Sequence, residues 1–537
     1  MCGALCVWVV RLCCVAAIVF LYLVFRRKSR IWQASLDLSR LSQRLLVASV
    51  VVFLCLFLVV LSQLSGQGEW LENGPVYDDS LEAVQDGNQY NYLADAFLNG
   101  SVKLNLPQSK ILESMDNPYD TELRRELNST AHEPIYWDYA YYQGSYYCYF
   151  GVLPCLLTFL PYKALTGSDL RCDYVVVLFA CLMLVAGAFF LANFAHVFYE
   201  GLSLGAYLVG LIALFSSSGL LEQVYFPRIY PIPILSALMF CFLGLGLLLK
   251  AKGRFINDGT HTKGYLLVGS LCLASTLGCR PQYVVVSLLV VALFWEEIKR
   301  RLFFSKKGLA NTMAVILPFM AVAIPICLYN YVRFGSPFNF GASYNLTGAD
   351  MTAYAFSLKR TVMRSAEYLF LPPVLQSSFP FLHAVDELPG TLAWMLWTNE
   401  PVYGGFFAFA PVTFLLLGLC FRGVRKSLKH RGLLMFDAVS IALALLVIAI
   451  VSHVSGITMR YFADFAWLMI IPSITVIWQF CEQERSCGLI RFSGWLAALA
   501  LLGTPLYLWT YLVPSKFGSL SSMNPELYGF IASLFGF

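Results

Sequence analysis

The sequence predicts an all-α fold, a polytopic membrane bundle of about twelve helices. The first reason is composition: 58% of the 537 residues are hydrophobic and 13% are charged, with a mean hydropathy of +0.67. The second is the recurrence of apolar runs of about 20 residues, the length that crosses a hydrocarbon core of ~30 Å. The third is that these runs lack the alternation of barrel strands, so helices must satisfy their backbone hydrogen bonds in lipid. These features exclude a soluble enzyme and a secreted disulfide scaffold.

The predicted spans are the apolar runs between charged or Gly/Pro/Ser-rich breaks. They lie near residues 4–25, 45–64, 172–198, 205–219, 231–250, 264–279, 281–298, 309–330, 403–421, 434–453, 461–480 and 492–512. The first run contains Arg11 and is followed, not preceded, by a basic cluster. That order is typical of a retained anchor or an interfacial helix with its N-terminus outside, and not of a cleaved signal peptide.

Lys and Arg concentrate in alternate short loops, which the positive-inside rule assigns to the cytoplasm. These loops cover residues 26–44, 250–263, 299–307 and 422–431. Two long stretches, 66–145 and 331–402, then fall outside, and the first of them holds 14 Asp and Glu against 4 Lys and Arg. We expect an integral membrane protein with these two long stretches on the extracytoplasmic face.

The predicted organisation has three parts. Residues 1–44 form an N-terminal anchor helix and a basic cytoplasmic loop, residues 45–512 form the transmembrane catalytic domain, and residues 513–537 form an exterior tail. The catalytic domain includes an acidic and aromatic exterior loop, 66–170, with helices at the membrane surface. A second exterior loop covers residues 331–402.

Several chemistries are missing from the sequence. It has no Walker P-loop, no strand-anchored dinucleotide fingerprint, no HExxH and no GxSxG motif. Most of the 16 cysteines lie in apolar runs, and no CxxC or His/Cys set has the spacing of a metal site. No cofactor is therefore predicted with certainty, although Asp86, Asp120 and Asp138 could together bind a divalent cation through hard oxygen ligands. The energy for any reaction must arrive with the substrate.

The first exterior loop carries the main catalytic candidate, Asp86. From Tyr90 to Phe97 the apolar residues recur at helical spacing, which predicts an amphipathic helix at the membrane surface just after Asp86. Partial desolvation there would raise the pKa of this carboxylate and improve it as a general base. An aromatic run follows and suits both headgroup depth and sugar stacking. The segment 151–165 then predicts a second interfacial or re-entrant helix.

This layout resembles the GT-C superfamily of integral membrane glycosyltransferases, which includes protein O-mannosyltransferases and the aminoarabinose transferase that modifies lipid A. In those enzymes the first exterior loop reads D-x-x-x-Y-x-x-x-A-x-x-x-x-x-G, and Asp86, Tyr90, Ala94 and Gly100 occupy these positions. Three later motifs extend the resemblance: CRPQY around Arg280, NYVRFGSPFNFG around Arg333, and GITMRYFADFAW around Arg460 and Asp464. The family often has adjacent acids at the catalytic point. Here the pair Asp78–Asp79 lies upstream, which leaves Asp86 and Asp79 as alternatives.

The resemblance implies transfer of a sugar from a polyprenyl-phosphate donor to an acceptor hydroxyl, with inversion, in the assembly of a cell-envelope glycan or glycolipid. The active site would lie on the extracytoplasmic face of a bacterial plasma membrane. Asp86 would accept the hydroxyl proton, and Arg280, Arg333 and Arg460 would bind the donor phosphate, since guanidinium presents a planar fork of donors and stays charged. The partners would be the lipid-linked sugar, membrane lipid and a glycan, lipid or protein acceptor. No nucleic-acid partner is expected.

A wider set of residues could contact acceptor or sugar: Asp79, Tyr90, Asp120, Trp137, Asp138, His453 and Asp464. Structural roles compete with these assignments. Asp86 could cap a helix, Arg280 and Arg333 could anchor a helix end or a turn, and Arg460 and Asp464, four apart, could form an ion pair.

Two other functions compete with the transferase hypothesis. A transporter or flippase of a lipid-linked sugar would favour inverted repeats and charged residues at mid-membrane depth, whereas the polar residues here gather at one face. A catalytically inactive scaffold would bind glycan through the aromatic loop.

Overall fold

A computed structural model describes residues 29–65, 75–257, 262–353, 355–385, 401–454, 456–487, 491–514 and 518–537. Within these residues the protein is helical, apart from three two-stranded antiparallel hairpins. The predicted span 4–25 lies outside the described residues.

The helices, in chain order, are α1 (Arg30–Gln33), α2 (Leu41–Leu64), α3 (Gln89–Leu98), α4 (Lys110–Ser114), α5 (Thr121–Ala131), α6 (Val152–Thr166), α7 (Cys172–Phe198), α8 (Leu204–Ser217), α9 (Leu220–Tyr225), α10 (Pro231–Asn257), α11 (Lys263–Cys279), α12 (Leu288–Leu293), α13 (Trp295–Lys299), α14 (Leu309–Phe334), α15 (Leu358–Phe370), α16 (Phe406–Phe409), α17 (Arg422–His430), α18 (Leu434–Val454), α19 (Phe462–Cys487), α20 (Arg491–Thr510), α21 (Leu520–Met523) and α22 (Pro525–Ser533). The strands pair as β1 (Val76–Asp78) with β2 (Ala83–Gln85), β3 (Ala140–Tyr142) with β4 (Ser145–Tyr147), and β5 (Val374–Leu375) with β6 (Leu382–His383). In the described part of the chain, four 3-10 segments cover Pro281–Ser287, Ala342–Tyr344, Pro411–Cys420 and Met459–Tyr461.

Six helices of the described chain are long and apolar enough to cross a membrane. They are Leu41–Leu64, Cys172–Phe198, Pro231–Ile256, Leu309–Phe334, Leu434–Val454 and Met459–Gln483, and each coincides with a predicted span. The remaining predicted spans from residue 205 onward fall on shorter apolar helices of 10 to 17 residues. A polytopic helical bundle is therefore present, and the count of twelve spans stays a prediction.

Two segments expected to be continuous helices, 281–298 and 403–421, are broken instead. The first begins as a 3-10 segment at Pro281 and continues as α12 and α13, and the second contains the 3-10 segment Pro411–Cys420. A proline has no amide hydrogen and pushes the preceding residue out of helical geometry. Arg280 is accordingly extended, with φ −150° and ψ 101°, and Ala410 has φ −124° and ψ 62°.

The core of the bundle is α19. In the apolar part of the Met459–Gln483 span 94% of residues are buried, against 22% in Leu309–Phe334. Its Trp467 and Trp478 are fully buried, and the Trp478 indole donates to the carbonyl oxygen of Ala206 at 2.9 Å. Helices α7, α10, α11 and α14 pack side by side in that order, with α2 against α7. The peripheral helices thus keep apolar faces toward their surroundings, as spans facing lipid require.

Residues 75–151 form a separate small unit, here named the first lobe. The predicted amphipathic helix is present as α3, and the predicted second helix is present as α6, which contains a π turn at Cys155–Phe159. The tight turn between β3 and β4 uses Gln143 and Gly144, both with positive φ, as a two-residue hairpin requires. The Arg124 guanidinium donates to the Thr347 carbonyl oxygen at 2.8 Å, which ties the lobe to the segment after α14.

A buried ion pair joins α10 to α13. The Lys252 ammonium donates to both Glu297 carboxylate oxygens, at 2.7 and 2.8 Å, and the two side chains are 9% and 8% exposed. A second pair on α13, Lys299 with Glu296, spans 3.0 Å but is more than half exposed. The first pair stabilises the packing of the two helices, and the second offers a matched comparison.

We expect Lys252→Met to lower the free energy of unfolding by about 3–5 kcal/mol, because it leaves the buried Glu297 carboxylate without its cation. Lys299→Met should change it by no more than about 1 kcal/mol, since exposed pairs contribute little. Both values come from denaturant unfolding of the purified protein in detergent. Equal losses in the two variants would contradict the assignment of Lys252–Glu297 as a stabilising contact.

Candidate active site at the junction of the first lobe and the bundle

Asp138 lies where the first lobe meets the membrane helices. It precedes β3 with φ +63°, a conformation held by a hydrogen bond from its amide to the Leu346 carbonyl oxygen at 2.9 Å. One carboxylate oxygen accepts from the Asn345 amide at 2.9 Å, and the other accepts from the Tyr230 hydroxyl. Tyr230 leads into α10, so this contact joins the lobe directly to the bundle.

The Tyr230 ring also lies beneath a guanidinium. The Arg460 Cζ atom is 4.1 Å from the centroid of Tyr230 and 5.2 Å from that of Tyr461, which are cation–π distances. The Arg460 carbonyl oxygen accepts from the Gln223 side-chain amide at 2.6 Å. Gly219, at φ +76°, lets α9 come this close, because a β-carbon there would lie 2.9 Å from the Ala463 backbone nitrogen.

An open pocket lies on the bundle side of this junction. Two arginines, one glutamate, one glutamine and several aromatic residues form its wall: Glu222, Gln223, Phe226, Arg228, Tyr230, Pro231, Pro401, Tyr403 and Arg460. Small-molecule pockets combine apolar walls with a few convergent polar groups, and this wall contains both. Two guanidinium groups in one wall make the pocket suited to an anion.

Arg280 and Asp464 form a buried ion pair behind this wall. The guanidinium donates to a carboxylate oxygen at 2.5 Å, and the Asp464 side chain is fully buried. Arg280 also lies 5.1 Å from the centroid of Tyr461, the ring that Arg460 contacts from 5.2 Å. Asp464 thus has an ion-pair partner 184 residues away in the chain, in addition to the Arg460 neighbour that the spacing of four suggested.

Arg333 lies elsewhere, at the end of α14. Its guanidinium donates to the Cys148 carbonyl oxygen at 2.6 Å and to the Asn330 side-chain oxygen at 2.7 Å. It also packs on Tyr329, with the Cζ atom 3.9 Å from the ring centroid. The side chain is buried and clamps α14 to the first lobe, and it is not among the described residues that line the pocket.

Asp86 is half-buried and turned toward its own helix. One carboxylate oxygen accepts from the Asn88 amide at 2.9 Å and the other from the Tyr92 hydroxyl at 2.7 Å. Desolvation raises the pKa of the Asp86 carboxyl above its ordinary 3.8, and the negative charge of Asp169 adds to this, against the lowering effect of these hydrogen bonds. The same burial raises the pKa of the Tyr92 hydroxyl. Among the described residues, Asp86 does not line the pocket.

The remaining candidates are dispersed. Asp79 is exposed in the turn of the first hairpin, and Asp120 caps α5 by accepting from the Glu122 and Leu123 amides at 3.1 Å. Tyr90 is buried and stacks on Phe159 at 5.1 Å between centroids. Trp137 is half-buried with the Arg125 Cζ 6.0 Å from its ring, and His453 packs 5.1 Å from Phe356 at the end of α18.

The described residues do not bring Asp86, Asp120 and Asp138 together. No group of three or more His, Cys, Asp or Glu side chains in the described ranges is arranged to hold a metal ion. Asp120 is engaged at the helix cap, Asp86 near α3 and Asp138 at the pocket rim. A divalent-cation site made from this trio therefore has no geometric support.

Sequence reasoning named only Arg460 among the nine wall residues and missed eight, among them Glu222, Gln223, Arg228 and Tyr403. The first three lie in SSSGLLEQVYFPRIYPIPIL, between the predicted spans 205–219 and 231–250. A glutamate and an arginine between two apolar runs were a usable signal, since ionisable groups at membrane depth mark functional sites. Tyr403 carried no comparable signal.

Comparisons with known proteins add little to this geometry. No family model matches the chain, and no curated protein matches it. Among solved structures, the chain is similar to the oligosaccharyltransferase AglB from the archaeon Archaeoglobus fulgidus, determined in complex with an inhibitory peptide and a dolichol-phosphate, with a TM-score of 0.36 and 11% sequence identity. The similarity covers 78% of this chain and 51% of that one, so this chain spans about half the length of that protein. Similarity at this level carries no argument about mechanism.

The raised pKa of Asp86 predicts a pH dependence of stability. A carboxyl group whose folded-state pKa is raised contributes stability that is full below its unfolded value and is lost as pH rises through the folded value. Lowering the pH from 7 toward about 4 should therefore stabilise the wild type relative to Asp86→Asn. Thermal unfolding of both proteins across this range measures the difference.

Asp350 supplies a control of opposite sign. Although desolvation raises the pKa of the Asp350 carboxyl, hydrogen bonds from Thr352, Asn117 and Ala353 outweigh it and lower that pKa overall. The wild type should therefore lose stability relative to Asp350→Asn when acidification continues below about 4, since this contribution is lost as pH falls through the lowered folded value. If Asp86→Asn and Asp350→Asn diverge from the wild type in the same direction, the burial assigned to Asp86 is wrong.

Proposed function

We propose that this protein is a membrane glycosyltransferase that moves a sugar from a polyprenyl-phosphate donor to an acceptor hydroxyl, with inversion, on the extracytoplasmic face of a bacterial plasma membrane. The observation that supports the proposal best is the pocket in the bundle, next to the first lobe. Its wall carries Arg228 and Arg460, and Asp138 accepts a hydrogen bond from the wall residue Tyr230. Cations for a phosphate thus lie in the pocket wall, and a carboxylate for a hydroxyl proton lies one hydrogen bond from that wall.

Arg460 and Arg228 are the proposed phosphate ligands. Guanidinium groups bind phosphate oxygens with paired, charge-assisted hydrogen bonds and remain charged when partly desolvated. The aromatic contacts of Arg460 with Tyr230 and Tyr461 restrict its rotamers, so its charge is held in place before the donor arrives. Electrostatic stabilisation of the leaving phosphate is then available without reorganisation.

Arg280 has a proposed positioning role. Its guanidinium is paired with Asp464 and packs on Tyr461, which in turn contacts Arg460. This chain of contacts fixes the aromatic surface on which Arg460 rests. Arg333, clamped to Cys148 and Asn330, holds the first lobe on α14 and supports the site from a distance.

Asp138 is the favoured general base, and Asp86 is the alternative. Geometry is the first criterion for a base, and Asp138 is one hydrogen bond from the pocket wall. Asp86 meets the second criterion, because its raised pKa brings it closer to the working pH. Both carboxylates lie in the first lobe, on the side from which an acceptor would approach.

The proposed step balances in atoms and charge. The acceptor oxygen forms a bond to the anomeric carbon while its proton passes to the carboxylate. The bond from that carbon to the phosphate oxygen breaks, and its electron pair leaves with the polyprenyl phosphate. The carboxylate loses one negative charge and the phosphate gains one, next to Arg460 and Arg228.

Asp138→Asn should reduce sugar transfer by roughly 10²–10⁴-fold, the usual contribution of a general base. The assay follows radiolabelled sugar from a panel of undecaprenyl-phosphate sugars into envelope glycans of the host membrane. Asp120→Asn is the control, because asparagine caps a helix about as well as aspartate, and it should retain activity.

Two results would change this assignment. Full activity of Asp138→Asn together with loss of activity in Asp86→Asn would transfer the role of base to Asp86. Full activity in both variants would contradict a first-lobe base altogether.

Arg460→Gln should weaken binding of undecaprenyl phosphate by roughly ten- to hundred-fold, as expected for a lost charge-assisted contact. Arg422→Gln, an exposed position in a predicted cytoplasmic loop, should leave binding unchanged. Native mass spectrometry of the purified protein with the lipid measures both. Equal binding by Arg460→Gln and the wild type would contradict the proposed phosphate site.

A separate transport assay distinguishes the flippase alternative. Movement of labelled lipid-linked sugar across the membrane of reconstituted vesicles, without a new glycosidic bond, would favour a flippase.

A further inference from the structure

Glu222 is a carboxylate set deep in the pocket wall. It lies on α9, between the apolar helices α8 and α10, and only 7% of the residue is exposed. Burying a carboxylate among apolar helices is costly, and in membrane proteins such groups mark binding sites and pathways. The proposed transfer chemistry does not use it, because Asp138 and Asp86 belong to the first lobe.

Three buried tyrosines, Tyr225, Tyr507 and Tyr511, lie near this carboxylate without lining the pocket. The rings of Tyr225 and Tyr511 stack at 3.6 Å between centroids with an angle of 4°. All three hydroxyls are buried and make no hydrogen bond to any described residue. Such hydroxyls usually find partners when buried, so this cluster has unused donor and acceptor capacity.

Gln223 adds an independent observation on the same wall. The residue is fully buried, and its amide nitrogen donates to the Arg460 carbonyl oxygen at 2.6 Å. Its side-chain oxygen has no hydrogen-bond partner among the described residues. The nitrogen is therefore fixed to the proposed phosphate ligand, while the oxygen is left as a buried acceptor on a residue that lines the pocket.

These groups match the hydrogen-bonding pattern of a sugar ring. Carboxylate and amide oxygens accept from sugar hydroxyls, tyrosine hydroxyls both donate and accept, and aromatic faces cover the ring carbons. A carboxylate in a low-dielectric wall repels a second carboxylate, so Glu222 disfavours a uronic acid once the donor phosphate occupies Arg460 and Arg228. Arg460 and Arg228 lie on the same wall, so a phosphate bound to them would be close to Glu222 and Gln223.

We propose that Glu222 and Gln223, on the pocket wall, bind the sugar ring of the lipid donor and select a neutral or amino sugar over a uronic acid, with the buried tyrosines Tyr225 and Tyr511 as support near Glu222. This inference rests on the proposed function, since it assigns the sugar half of a donor whose phosphate half is bound by Arg460. Glu222 supplies both affinity, through hydrogen bonds to hydroxyls, and selectivity, through its charge.

The test compares bare and sugar-bearing lipids on the full-length protein in nanodiscs. The probes are undecaprenyl phosphate and its glucose, mannose, galactose, N-acetylglucosamine, 4-aminoarabinose and glucuronate derivatives, with binding measured by native mass spectrometry. We expect at least one neutral or amino sugar to bind more tightly than the bare lipid, and the glucuronate to bind no more tightly than the bare lipid.

Glu222→Gln keeps the shape of the side chain and removes its charge. It should lower the extra affinity for the sugar roughly ten- to hundred-fold, the loss expected for hydrogen bonds to a charged group, and leave the bare lipid unchanged. Tyr511→Phe keeps the stacked ring and should lose part of the same increment. Glu367→Gln is the matched control, because this half-buried carboxylate on α15 does not line the pocket, and it should behave as the wild type.

The outcomes separate this inference from the proposed function. If the bare lipid binds and Arg460→Gln weakens it, but no sugar adds affinity or the glucuronate binds best, the sugar site is wrong and the phosphate site stands. If Glu222→Gln and Tyr511→Phe both keep the full sugar increment, the sugar site is also wrong. If the wild type binds neither bare nor sugar-bearing lipid, the proposed function itself fails.

Discussion

The constraint on which this structure depends is the electrostatic cost of placing charges in an apolar bundle. An ion taken out of water loses several kcal/mol of solvation, which only a well-placed partner offsets. Arg280 meets this constraint with Asp464 and Lys252 meets it with Glu297, in contacts of 2.5 to 2.8 Å. The two pairs lie in different places. The Lys252–Glu297 pair joins two helices of the bundle, and the Arg280–Asp464 pair lies directly behind the pocket and fixes the ring of Tyr461.

The pocket lies in the bundle, beside the point where the first lobe meets it. The bundle contributes Tyr230, Arg460 and the wall of α9, and the first lobe contributes Asp138, which precedes β3 and accepts a hydrogen bond from Tyr230. Arg333 holds the lobe down on α14, so the carboxylate and the guanidinium groups are positioned by separate but rigid supports. A site built in this way can bind an anionic lipid headgroup from the bundle side and an acceptor from the lobe side. Each unit thus binds a different reactant, because the bundle and the first lobe are held in place by separate contacts.

The sequence predicts the fold well wherever hydrophobicity alone decides it. Apolar runs locate the six long helices, and helical spacing locates α3 immediately after Asp86. The motifs around Arg280 and Arg460 indeed converge, and Asp464 pairs with Arg280 across 184 residues. Such a partner choice depends on how distant helices pack, which periodicity does not reveal. The prolines themselves indicated helix breaks at residues 281 and 411, but the length of the surrounding apolar runs favoured continuous helices.

The site was less predictable, because identical residue types serve different purposes at membrane boundaries. Arg333 and Arg460 both occur in aromatic motifs near predicted exterior boundaries, yet one binds backbone and amide oxygens inside the protein and the other lines the pocket. Glu222 was not predicted as a site residue, because it lies on a six-residue helix between two spans, and a helix this short shows no periodic hydrophobic pattern.

The measurement that tests the central claim most directly is a cryo-EM structure of the protein in nanodiscs with undecaprenyl phosphate. The account predicts density for the phosphate within hydrogen-bond distance of Arg460 and Arg228, with the lipid tail leaving along the bundle. Phosphate density beside Arg333, or at the basic loop around residues 422–431, would contradict it.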